Sequence, residues 1–102
     1  MTKQTYSEFI AKDRRLSILL ILLGSMGYRV NEHLLNTTLE KSFAHCVSAD
    51  LLRTELAWLQ EQGVIKVETV NDVQIAELTR RGQDVAQGRT VVPGIKRPSA
   101  SN

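Results

Sequence analysis

The stretch LAWLQEQGVIKVETVNDVQIAELTRRG, residues 56–82, changes its hydrophobic period partway along. Up to Gln62 the apolar positions continue a helical series, with Leu52, Leu56 and Leu59 on one face. Past Gly63 the period is two, as in a strand. VIKVETV and VQIAEL flank Asn71-Asp72, two residues that tolerate the positive φ angles of a tight hairpin turn. Pairing Val70 with Val73 places Ile65, Val67, Ala76 and Leu78 on one face and sets Lys66 opposite Glu77 on the other. Val70, Val73 and Ile75 then point away from the expected core. Thr79 is a good cap for a last short helix from Arg80 to about Gln87, ended by Gly88.

Upstream the pattern is helical. Ser7 is a plausible N-cap for a first helix reaching Met26, with Gly27 at its end. Leu16, Leu19, Leu20 and Leu23 form one apolar stripe, and Ile18, Ile21, Leu22 and Ser25 repeat the spacing on another face. A helix apolar all round is a buried helix. In 102 residues a second copy is the expected cover, so Ile18, Ile21, Leu22 and Ser25 are expected at a homodimer interface. Tyr28-Arg29-Val30 reads as a short connecting strand. Asn31 caps a second helix, Glu32 to Ala44, with the stripe Leu35, Leu39 and Phe43. After a break at His45-Cys46-Val47, Ser48 caps the third helix, which runs to about Gln62 with Leu51, Glu55 and Trp58 on one shoulder. The run RTVVPGIKRPSASN, residues 89–102, carries two prolines and three basic residues and reads as a flexible tail behind a domain of residues 1–88.

The order helix, short strand, helix, helix, hairpin, helix, with Leu56, Leu59, Gly63 and Ile65 followed by Leu78-Thr79-x-x-Gly82, resembles the winged helix-turn-helix regulators of the MarR, ArsR and PadR families. The size and the leucine-rich first helix also resemble small ArsR-like winged-helix proteins of Mu-like prophages. The resemblance implies a mainly α fold with a β-hairpin wing and a dimeric transcriptional regulator that binds double-stranded DNA. ArsR metal sensors carry Cys-Val-Cys near the start of the first helix of the helix-turn-helix. Here the nearest string is Cys46-Val47-Ser48, at the entrance to the third helix, so no metal site carries over.

Charge is unevenly distributed. Residues 1–30 hold five basic and two acidic side chains, residues 31–78 three and eight, and residues 79–102 five and one. On the third helix, Asp50, Arg53, Thr54, Ala57 and Glu61 lie opposite the core. Arg53 and Thr54 are the candidates to read base edges, and Asp50 could accept a hydrogen bond from cytosine. The wing tip offers Glu68, Thr69, Asn71 and Asp72, with no arginine for a minor groove. Phosphate contacts dominate affinity; Arg80 and Arg81 are the expected ones, with Arg14, Arg15, Arg89, Lys96 and Arg97 adding positive charge outside the acidic middle. That acidic middle favours the competing reading, a winged-helix adaptor that binds protein and not DNA.

Cys46, His45 and His33 do not complete a four-ligand set, and the expected state is a buried thiol beside a surface histidine. Trp58 is expected to pack under the wing or a neighbouring helix. No Gly-rich phosphate loop, carboxylate pair or nucleophile with an orienting histidine is present, so neither an enzyme nor a cofactor or small-molecule ligand is expected. The single cysteine and the eight-residue apolar run Leu16–Leu23, too short for a bilayer, point to a cytoplasmic, membrane-free protein.

Overall fold

The computed structural model describes residues 4–99, so the first and last three residues of the two expected segments lie outside it. The elements are α1 (Tyr6–Leu23), β1 (Arg29–Asn31), α2 (Glu32–Phe43), α3 (Ala49–Glu61), β2 (Ile65–Val70), β3 (Val73–Leu78) and α4 (Arg80–Ala86), with a 3-10 turn at Met26–Tyr28 before β1. The three strands form one antiparallel sheet in the order β1-β3-β2. The wing has the expected register: Ile65 faces Leu78, Lys66 faces Glu77 and Val70 faces Val73. Asn71 and Asp72 both take positive φ, 49° and 64°, which matches the right-handed twist of the flanking strands.

Asn31, Ser48 and Thr79 are N-caps as expected, each side chain accepting from a backbone N–H in the first turn. The cap of α1 is Thr5, not Ser7. Thr5 and Glu8 form a reciprocal capping box, the T-x-x-E spacing that outcompetes a single serine. The same helix stops at Leu23 with Gly24 as its C-cap, earlier than Met26.

Leu78-Thr79-x-x-Gly82 now has a physical basis. The Thr79 hydroxyl donates to Gly63 O at 2.7 Å and accepts from Gly82 N at 3.0 Å, joining the end of α3 to the start of α4. A Cβ at Gly82 would stand 2.1 Å from Val64 O. Only glycine lets α4 approach the first residues after α3 so closely.

α1 lies at the centre, packed by α2, α4 and β3. Leu16, Ile18, Leu19 and Leu22 are all buried, with Leu35, Leu39, Leu52, Leu56, Leu59, Val64 and Ile65 completing the core. Most of both stripes is therefore covered within one chain, with Leu20 and Leu23 half-buried. Ile18 and Leu22 have no exposed surface and Ile21 has 9%, while Ser25 donates its hydroxyl to Ile21 O at 2.6 Å. The expectation that these four residues need a second copy does not hold. The rule that an all-apolar helix is buried is obeyed, but the cover is intramolecular.

Part of that cover is the segment expected to be a loose tail. Within residues 89–99, Val92 and Ile95 are buried at 2% and 5% exposure. Lys96 N donates to Lys12 O at 3.2 Å, and its ammonium meets Asp13 Oδ1 at 3.1 Å. The segment is a strap laid along α1. Two β-branched residues among prolines and small polar residues suffice to anchor it, because α1 offers an apolar seat.

Candidate nucleic-acid interface

The outward face of α3 carries Asp50, Thr54, Ala57 and Glu61, all exposed, beside the projecting wing. Thr54 is exposed as expected and returns its hydroxyl to Asp50 O at 3.1 Å. Arg53 does not stand free on this face. Its Nε and Nη2 donate to both oxygens of Glu32 at 2.8 and 2.6 Å, and Nη2 also donates to Asp72 O at 2.8 Å. Nε and Nη2 are thus engaged and tie the wing to the helix pair, while the two N–H groups of Nη1 make no hydrogen bond within the described residues.

Local sequence explains why the partner is there. Asn31 ends β1 opposite Ile75 and immediately caps α2, so Glu32 begins the helix against β3. Gln74, one residue before Ile75 on β3, donates its N–H to Glu32 Oε2 at 2.7 Å. Glu32 is thus a buried carboxylate with three N–H partners. The hydrogen bonds from Arg53 chiefly, opposed by burial and helped by Gln74 N–H, hold its pKa down at about 2.

A second ion-pair cluster sits behind α3. Glu55, 2% exposed, accepts from Arg14 Nε and Arg15 Nε, both at 2.8 Å. Arg15 also donates to Gly94 O of the strap at 3.0 Å, and its guanidinium lies 4.1 Å over the Trp58 ring. Arg14 and Arg15 are therefore internal struts and not part of a solvated basic surface. Removing the Glu55 carboxylate would leave two largely buried guanidinium groups uncompensated, a loss on the order of 3–5 kcal/mol. The arrangement has no local signal in the sequence, since Glu55 reads there as a helix shoulder residue.

The thiol and the histidine exchange their expected places. Cys46 is exposed, and His45 is buried with Nε2 2.8 Å from Asp13 Oδ2. Burial opposes ionisation of Asp13, but hydrogen bonds from His45 and Lys96 outweigh it and keep its pKa below the ordinary carboxylate value. Among the described residues no group of three His, Cys, Asp or Glu side chains is placed to hold a metal ion.

On the sheet's outer face Arg29 spans Glu68 at 3.1 Å and Glu77 at 3.3 Å. Four exposed arginines, Arg80, Arg81, Arg89 and Arg97, lie on α4 and the strap. Arg80 is 84% and Arg89 66% exposed; they flank Asp84 at 3.9 and 3.7 Å. Arg81 donates to Gln62 O at 2.9 Å, at the carbonyl end of α3 where the helix dipole favours a cation. The structure thus brings Arg80 and Arg81 to the C-terminal end of α3, and leaves Asp50 and Thr54 near its N-terminal end.

No protein-family model matches the chain. It is 40% identical over 92 residues to gp26 of Escherichia phage Mu, itself uncharacterized, covering 90% of this chain and 94% of that protein. An uncharacterized Haemophilus influenzae protein is 38% identical over 78 residues, 76% of this chain and 74% of that one. Among solved structures, F93 from STIV, a winged-helix DNA-binding protein, matches with a TM-score of 0.57 over 83% of this chain and 85% of F93, at 19% identity. Likeness at that identity is one of fold. Among the described residues no helix is long and apolar enough to cross a membrane. The chain has the winged-helix fold, and it belongs to the family of phage Mu gp26.

Proposed function

We propose that the chain binds duplex DNA as a regulatory protein of bacterial or prophage type. The observation that carries this reading is the face formed by α3 and the wing. The fold leaves the outer side of α3 open, and the Glu32–Arg53 pair locks the wing beside it through Asp72 O and Gln74 N. A helix and a hairpin held side by side suit a major groove and its flanking backbone. Thr54 and Asp50 are the side chains left to meet base edges. Phosphate contacts come from Arg80 and Arg81, at the carbonyl end of the same helix. A dimer through Ile18 and Leu22 is not part of this reading, because both are covered within the chain.

A second reading has its own support. Asp50, Glu61, Glu68 and Asp72 make the α3–wing face acidic, which suits a basic protein partner and repels phosphates. Fluorescence anisotropy with random-sequence duplex at about 50 mM salt separates the two, since electrostatic attraction is strongest there. Binding that weakens steeply with added salt supports the DNA reading. Absence of binding by a folded sample supports the adaptor.

A further inference from the structure

We propose that the docked strap is part of the DNA-binding surface, with Arg89 and Arg97 continuing the phosphate contacts of Arg80 and Arg81. This rests on the DNA reading above and deepens it. The phosphates need unpaired cations, and the α3–wing face has few: Arg53 is held by Glu32, and Arg29 by Glu68 and Glu77. Arg80, Arg81, Arg89 and Arg97 are all exposed. Asp84, touched by Arg80 and Arg89, offsets only one charge of the four.

What makes these four a surface is the seating of the strap. Pro98 lies against Gly88, within 3.4 Å of the place a Cβ would occupy. Arg89 and Arg97 are each one residue from that contact, so residues remote in sequence share one end of the molecule. Arg81 reaches Gln62 O at the carbonyl end of α3, and Arg80 and Arg89 meet at Asp84 on α4. A duplex meeting α3 can continue onto this ridge.

The seating depends on Gly94. Its φ is 98°, and a Cβ there would stand 2.8 Å from Trp58 Cη2 and Cζ2 and 3.3 Å from Arg15 Nη1. The turn at Pro93-Gly94 approaches the indole this closely because Gly94 has no side chain. Val92 and Ile95, which precede and follow the turn, are both buried. Gly94→Val would lift the strap without changing any charge, and Trp58, the one tryptophan of the chain, would report the undocking by a red shift in emission.

Duplex affinity of the full-length chain, measured from about 50 to 200 mM salt, tests the proposal. Each phosphate contact contributes about 0.9 to the slope of log affinity against log salt. Arg89→Ala with Arg97→Ala should lower the slope by about two. Over that fourfold salt range the wild type should then lose roughly tenfold more affinity than the variant. Gly94→Val, with shifted Trp58 emission and a cooperative unfolding transition, should reproduce part of that loss. If the double variant keeps the wild-type slope and affinity while Arg80→Ala with Arg81→Ala weakens binding, the DNA reading stands and the ridge is refuted. If the wild type binds no duplex at about 50 mM salt, both are refuted.

Discussion

Glu32→Gln isolates the pair that holds the wing. Glutamine keeps the shape and a carbonyl for the Gln74 N–H, and removes the charge that Arg53 grips with two donors at 2.8 and 2.6 Å. The carboxyl falls from 4.5 to about 2 on folding, which at about 1.4 kcal/mol per pKa unit sets an upper bound of about 3–4 kcal/mol. The Arg53 side chain is 43% exposed, so solvent screening reduces this to about 1–2 kcal/mol. A depressed acid contributes its full stabilisation above its unfolded pKa and loses it as pH falls through the folded one. The contribution is therefore present at neutral pH and fades from about pH 4.5 down to about pH 2. Urea unfolding of a domain this size has a slope of about 1–2 kcal/mol per molar, so the variant's midpoint at neutral pH should fall by roughly 1 M. The gap between the two proteins should close near pH 2, since every other carboxylate titrates alike in both. Equal midpoints at neutral pH, or a gap that survives unchanged at pH 2, would refute the reasoning.

Two further outcomes follow from the packing. Gly82→Ala should cost at least 3 kcal/mol or prevent folding, because its Cβ would press on Val64 O, a backbone atom that cannot swing aside; a circular-dichroism melt within about 5 °C of wild type would contradict the fit of α4. Ile21→Glu should unfold the chain and not dissociate an oligomer, since an unpaired charge in the α1 core costs several kcal/mol against a stability of similar size. A folded monomer produced by that variant from a wild-type dimer, seen by sedimentation, would refute this and support a dimer through α1.

Local chemistry made much of the fold legible in the chain itself. The hairpin, its register and its turn follow from alternation and from two residues that accept positive φ. Asn31, Ser48 and Thr79 announce the helix starts because a cap is satisfied within one turn. These are contacts between near neighbours, or consequences of a fixed period, and a sequence states them directly. Thr54 belongs here too, being exposed wherever the helix face is outward.

Other features depend on which elements meet, and only the tertiary structure decided them. Arg53 reads as a base contact until β1 and β3 bring Glu32 and the wing to it. Arg14 and Arg15 read as positive charge available to phosphates until α3 turns Glu55 inward between them, 41 and 40 positions away. The strap reads as disordered because its composition is poor in apolar groups; it is ordered because α1 and Trp58 supply the surface it lacks. The all-apolar α1 demanded a cover, but the sequence could not say whose. In each case the energy comes from pairing groups far apart along the chain, where burial turns a weak charge contact into a specific one. Such pairs leave no period or spacing to read.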